Sequence, residues 1–422
     1  MPMLRKFCFV ALIALGSILA ASNGRPAKAA DAGGPPRHLT VPAGRSALHA
    51  AIDLPGDVDR PKAGALKLVD PAGHCVDMQA DVVTAMNPDG TPGPRRRIVV
   101  DIPSCDVGDK GPRRLATADL GTAAAAPAAF RFDDVTAESV RLSEGDRPVL
   151  VYNHGTITDP RVPKSDGRGS RACYIHPLFG LQGEVLTDDF PKDHYHHHGV
   201  FWTWPHVSID GHEYDLWMQR KGIEQKFVRW LARDAAHAAA VLGVENGWYV
   251  GSDKVMIERV WIRVWAATKE DRAVDLDFVW IPVDRPITLR GAENKSYGGL
   301  TIRMAVRNGK DSVVTVPSGA TKTDLPDTPL PWADLTAPLG AANPSGAAIF
   351  VPREQPDYPP TWLTRHYGAL CVGWPGVKGK TFPPGEPIRL SYRIWIHASA
   401  VDVGRLQDAY DAYLAGARVH WE

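Results

Sequence analysis

The chain has 422 residues, with 48 Lys plus Arg against 48 Asp plus Glu. That balance gives no global field to draw nucleic acid or anionic lipid to the surface, so neither is expected as a partner. The 39 Gly, 36 Pro and 13 Trp describe many turns and aromatic-rich strands, not a helical bundle.

Arg5 and Lys6 precede an uncharged apolar run from Phe7 to Ala21, short for a membrane span, and Ala27-Lys28-Ala29 fits a small-x-small cleavage site. Residues 1–29 therefore read as a signal peptide, and the mature protein as periplasmic or secreted with no membrane span. Four cysteines follow the leader: Cys75, Cys105, Cys173 and Cys371. An exported chain meets an oxidising compartment, and four cysteines allow three pairings. Nearness in sequence favours a Cys75–Cys105 disulfide. Cys173 and Cys371 either pair, tying two motif regions together, or remain buried thiols.

From 30 to 134 short apolar runs alternate with turns. Leu66 to Val69 precedes Asp70-Pro71-Ala72-Gly73, and Arg97 to Ile102 follows Asn87-Pro88-Asp89-Gly90. This reads as a small β-sandwich-like accessory domain. A second domain, 135–422, opens with strands at Val140–Leu142 and Pro148–Tyr152, followed by a basic loop that reads as solvated. Strands are expected at Lys226–Trp230, Glu245–Val250, Val255–Trp265, Asp275–Ile281, Thr301–Val306, Ser312–Val316, Ala347–Val351, Ala369–Gly373 and Arg389–His397. From Arg259 the alternation is strict: Val260, Ile262 and Val264 share one face, and Arg259, Trp261, Arg263 and Trp265 the other. Asp402–Ala415 has helical spacing through Leu406, Tyr410 and Leu414. The fold expected is mainly β: a large antiparallel β-sandwich with a small N-terminal β domain and a C-terminal helix. By analogy it is supersandwich-like, as in carbohydrate-active proteins.

The chemistry concentrates between His176 and His206, which hold six of the 15 histidines beside Glu184, Asp188, Asp189, Asp193, Trp202 and Trp204. Titratable groups beside aromatic walls suit a ligand site. If Asp193-His194-Tyr195-His196-His197-His198-Gly199 is extended, His194, His196 and His198 face one way and His197 the other. Three such imidazoles can hold zinc or another divalent ion, the one cofactor expected, with Asp189 or Asp193 nearby. The same residues can instead form a metal-free acid–base site, or a hydrogen-bonded structural loop. Lys295 and Tyr297, two apart, can stabilise an anion or move a proton, and Gly298 and Gly299 permit close approach of a ligand. Arg365 can pair with a carboxylate; His366 and His397 can equally be core histidines. Trp202, Trp204 and Trp374 can stack on a sugar or simply pack.

The run Tyr174-Ile175-His176-Pro177-Leu178, then Gly183, Thr187, Asp189-Phe190-Pro191, Asp193-His194 and His196-His197-x-Gly199, resembles the PmoA-like family of exported bacterial proteins. Trp217, Lys295-x-Tyr297-Gly298-Gly299-Leu300 and Trp362 to Gly368 carry the same resemblance, which spans roughly Val135 to Glu422. The family's pattern places Arg where this chain has His198. The resemblance implies an exported β-sandwich protein linked to glycan use.

The function expected is an exported carbohydrate-active enzyme that cleaves a glycoside or glycan by hydrolysis or β-elimination. Its catalytic residues are expected to be His194, His196, His197, Asp193, Lys295 and Tyr297, with His176, Trp202, Arg365 and His366 binding substrate. The alternatives are a metal-dependent hydrolase or oxygenase using the same histidines, and a non-catalytic sugar-binding protein.

Overall fold

The computed structural model describes residues 38–42, 47–54, 68–69, 75–76, 79–94, 97–102, 113–117 and 128–422. The expected signal peptide, 1–29, and Cys105 of the expected disulfide lie outside them.

Two nine-stranded antiparallel sheets form the molecule's centre. The first runs, in spatial order, Thr328–Pro329, Thr361–Arg365, Ala369–Gly373, Gly299–Arg303, Val200–Thr203, Tyr174–Leu178, Arg147–Asn153, Ser139–Glu144 and Phe130–Asp134. The second runs Ile223–Ala235, Ala239–Val250, Asp253–Trp265, Asp271–Pro282, Ile388–His397, Ser345–Phe350, Trp332–Ala337, Val313–Val316 and Gly319–Thr321. Their inner faces share one core, with Leu142, Trp202, Ile302 and Val372 from the first sheet and Val244, Val260, Leu276 and Ile394 from the second. The protein is thus a mainly β, antiparallel sandwich. Strand Phe130–Asp134 pairs with Ser139–Glu144, so the hairpin that starts the sandwich begins ahead of the expected boundary at 135.

Alternation decides what each strand offers to each face. Val260, Ile262 and Val264 enter the core as their spacing requires. Their neighbours Trp261 and Trp265 are also buried, because a further layer covers the outer face of the second sheet. That layer is the N-terminal three-stranded sheet of Leu48–Asp53, Arg97–Ile102 and Gln79–Val83, whose Val83 and Val99 meet the two tryptophans. The Nε1–H of Trp261 donates to the carbonyl of Gly90 at 2.9 Å. The one α-helix among the described residues, Val403–Gly416, starts where Asp402 accepts from the amide of Arg405 at 2.8 Å. Its Leu406, Tyr410 and Leu414 cover Trp332, Phe350 and Trp395 on the same sheet. Among the described residues no helix is long and apolar enough to cross a membrane.

The N-terminal sheet and the helix thus cover the middle of the second sheet's outer face.

Candidate functional site

Two registered rows of side chains on the first sheet form the floor of the site. Phe201, Thr301, Cys371 and Leu363 stand side by side across four strands, and Arg303, Ala369 and Arg365 stand beside them. Their chain neighbours Trp202, Ile302, Leu370, Val372 and Trp362 point the other way, into the core. This parity corrects one expectation. Trp202 is not a sugar platform: it is 1% exposed and its Nε1–H donates to buried Glu258 at 2.9 Å. Trp204 and Trp374 are equally core residues, joined by the Trp204 Nε1–H donating to the Trp374 carbonyl.

Three loops stand over this floor. The first carries the histidines and is not extended. The amide of His194 donates to the carbonyl of Pro191, and that of His197 to the carbonyl of His194, each at 2.9 Å. Two consecutive tight turns replace the strand's period of two, so His194, His196 and His197 converge while His198 turns away. His194 stacks on His197 with centroids 4.5 Å apart, and His196 meets both edge-on at 5.6 and 4.7 Å. His198 anchors the loop instead: its Nδ1 lies 2.8 Å from Asp189 Oδ1, while the Tyr174 hydroxyl donates to Asp189 Oδ2 at 2.8 Å. Burial pushes Asp189 up to about 6 and His198 well below its usual value. The trio His194, His196 and His198 expected to hold a metal is therefore not assembled. Among the described residues no group of three or more His, Cys, Asp or Glu side chains is arranged to hold a metal ion.

The second loop carries Lys295 and Tyr297. It is a tight turn, not an extended segment: Asn294 and Ser296 have φ of 59° and 58°, and the amide of Ser296 donates to the carbonyl of Ala292. Gly298 and Gly299 serve the protein's own packing, not a ligand. A Cβ on Gly299 would sit 2.7 Å from the carbonyl oxygen of Val372, and one on Gly298 3.1 Å from the Trp204 ring. The third loop is the hairpin carrying Tyr367, whose ring stacks on His194 at 5.1 Å.

These parts enclose a cavity of about 350 Å³. His194, His196, His197, Lys295, Tyr297 and Arg365 all line it. Trp217, Met218, Leu363, Tyr367 and Cys371 complete the wall. Asp193 stands behind His194, with its Oδ2 2.9 Å from His194 Nδ1, and accepts from Arg303 Nη2 at 3.0 Å. His176 and His366 do not line the cavity. His176 meets Thr187 at 3.1 Å, and His366 is held between Asp324 and the carbonyl of Thr321. Cys173 and Cys371 are buried free thiols, not a pair. Burial pushes the Cys371 thiol up to about 12, so it remains protonated in the wall.

Sequence reasoning passed over Arg168, Arg303 and Tyr367. Strand parity points to Arg303, which follows Ile302 outward, and its guanidinium lies 4.6 Å from the Tyr367 ring. Arg168 sits in the basic loop that reads as solvated, yet its Nη1 lies 3.1 Å from His196 Nδ1 and its Nη2 donates to Asp166 at 2.7 Å.

Those partners favour opposite roles for the two rings. A guanidinium only donates, so His196 Nδ1 must accept and the ring's proton sits on Nε2. Burial would raise the Asp193 carboxyl, but His194 and Arg303 outweigh it and hold its pKa below the usual value, so it is ionised and accepts only. His194 Nδ1 lies 2.9 Å from its Oδ2, off the ring N–H axis and without a hydrogen bond. The tautomer with its proton on that side leaves Nε2 of His194 as the base nitrogen, while the free nitrogen of His196 is a donor. His197 is 4% exposed, and its buried Nδ1 has no partner among the described residues.

Burial, with help from His194 and Arg168, pushes His196 down to about 3; burial and the neighbouring imidazoles push His197 well below its usual value. Neutral rings bind fewer protons than unfolded ones. They therefore stabilise the fold fully above pH about 6.5, and lose that contribution as pH falls toward the folded values. Ring NMR should show His196 as the Nε2–H tautomer with no titration between about pH 5 and 8. A His196 midpoint near 6.5 would contradict its burial.

The fold and cavity define a β-sandwich protein with a histidine-rich pocket on the outer face of one sheet. A model for the family DUF6807, described as a family of unknown function, matches residues 139–411, and the chain belongs to that family. The match spans all three pocket loops. No curated protein matches the chain.

Proposed function

We propose that this pocket is the active site of a carbohydrate-active enzyme that cleaves a glycoside by acid–base chemistry. The observation that carries the reading is the opposed pair of contacts: His194 Nδ1 beside the Asp193 carboxylate, which favours Nε2 as a base, and His196 Nδ1 beside the Arg168 guanidinium, which makes Nε2 a donor. Groups whose surroundings push them toward opposite proton-transfer roles mark acid–base sites. Tyr297 and Tyr367 are held protonated by burial and add two hydroxyl donors. The Trp217 ring, 2% exposed and 4.6 Å from the Tyr297 ring, packs behind Tyr297 and fixes it in the pocket wall. The leader read over 1–29 supports an activity outside the cytoplasm.

The test is a screen of glycosides and short oligosaccharides with the purified full chain, reading reducing ends released over time. Turnover by the wild type with loss in His196→Ala, at unchanged circular dichroism, is the expected result. Saturable glycan binding without any product would replace the enzyme with a sugar-binding protein.

A further inference from the structure

The pocket's charge is one-sided. Among the described residues no Asp or Glu lines it, whereas Lys295 and Arg365 do. Arg365 is neutralised in part by Asp324, at 3.1 Å. The Lys295 ammonium has no carboxylate or hydrogen-bond partner among the described residues. Behind the wall, Arg303 is 4% exposed, and its Nε and Nη1 lack protein partners among the described residues. Each hydroxyl of a neutral sugar donates as well as accepts, so a wall suited to it supplies acceptors beside its donors. Here the wall offers mainly donors: an ammonium, a guanidinium, two phenols and the His196 Nε2–H. Such a wall matches a ligand rich in acceptor oxygens and carrying negative charge.

Resting on the glycoside-cleaving reading above, we infer that the substrate is a short 4-linked glycan bearing a uronate ring, its carboxylate held by Lys295 and Arg365, and that the bond is broken by β-elimination. Hydrolysis in most glycosidases needs two carboxyls flanking the bond, and among the described residues none lines this pocket. Elimination needs a different set, which this pocket has. A cation beside the carboxylate acidifies the carbon next to it, C5 of the uronate. His194 Nε2 takes the C5 proton, and the C–H electron pair becomes the C4=C5 double bond. The C4–O bond breaks, its electron pair leaves with the glycosidic oxygen, and the Tyr297 hydroxyl protonates that oxygen. No water is consumed, and His194 and Tyr297 return to their starting states by proton exchange with solvent. The His196 Nε2–H is the donor for charge developing on the carboxylate as C5 loses its proton. A cavity of about 350 Å³ takes one or two sugar rings, which directs the activity to chain ends or short oligomers.

The experiment offers the full chain three substrates: short 4-linked oligouronides, the same oligomers with their carboxyls reduced to alcohols, and a sulfated neutral oligosaccharide. Ultraviolet absorbance of the conjugated C4=C5 bond is read beside reducing ends. The expected result is that both signals rise together with the oligouronide alone. Lys295→Gln and Arg365→Gln should each lower kcat/KM for it by about 10²-fold. Because Lys295 is exposed, the first variant should fold normally. Reducing ends from the carboxyl-reduced oligomer without ultraviolet absorbance would overturn the inference and leave the glycoside-cleaving reading standing. Equal binding of the sulfated oligosaccharide would overturn the assignment to a carboxylate. No product from any glycan would overturn both readings.

Discussion

His194→Ala should lower turnover by about 10³-fold while leaving the folded structure and substrate affinity nearly intact, the size expected for removing a positioned general base. The ring lies in the pocket wall, its loop is held by backbone turns and by His198 on Asp189, and its own packing partners are Tyr367 and His197. The loss should therefore fall on kcat and not on KM. Asp193→Asn should cost about 10²-fold or more, because an amide can donate to His194 Nδ1 and move the base nitrogen's lone pair away from the pocket. Arg168→Gln tests the opposite partner. Burial is the largest cause of the low His196 value and stays in place, but a lowering charge is removed. The His196 midpoint read by ring NMR should then move to higher pH, since His196 gains its second proton sooner. A purely structural Arg168 would change stability without moving that midpoint. Unchanged kcat in His194→Ala would remove this ring from the mechanism.

How much of this was legible in the chain depends on which physical rule governed each residue. Where one rule acts alone the reading holds. Val260, Ile262 and Val264 alternate into the core, and Asp402 starts the helix that Leu406, Tyr410 and Leu414 predict. Composition was enough to single out His194, His196 and His197, because clustered imidazoles beside acids have little reason to form a core. It was not enough to say which of them face together. That depends on turns after Phe190, whose φ is 48°, and turns abolish the parity that a strand would impose. Trp202 failed for the converse reason. It does lie in a strand, and nothing in Val200 to Thr203 tells which of two apolar faces is the core. The outward row of Thr301, Cys371 and Leu363 is set by register between distant strands, which no local pattern encodes.

The largest stability effect is expected at Glu258, a residue that the sequence marks only as one polar position in a long strand. It is wholly buried, and five donors converge on its carboxylate. Trp202 Nε1 and Asn246 Nδ2 donate to Oε1, each at 2.9 Å. Gln225 Nε2 and Trp280 Nε1, at 2.9 Å, and Trp248 Nε1, at 2.7 Å, donate to Oε2. Gln225 in turn accepts from buried Arg171 at 2.7 Å, so an amide relays a guanidinium's charge to the carboxylate. Arg171 also donates to the carbonyl of Leu216, next to Trp217 in the pocket wall. Glu258→Ala leaves five buried donors without an acceptor, each costing about 1–3 kcal/mol, and should destabilise by about 5 kcal/mol or more in urea denaturation. Glu258→Gln keeps one acceptor oxygen but turns an NH₂ toward the remaining donors, and should cost about 3 kcal/mol. Because Trp202 belongs to the strand that follows the histidine loop, and Trp217 sits beyond Arg171, loss of the hub should loosen the pocket before the sandwich unfolds. Hydrogen exchange in Glu258→Gln should then rise first at the amides of 194–204 and 215–218. A variant with wild-type stability and exchange would mean that the five donors find other acceptors, and that the two sheets are held by apolar packing alone.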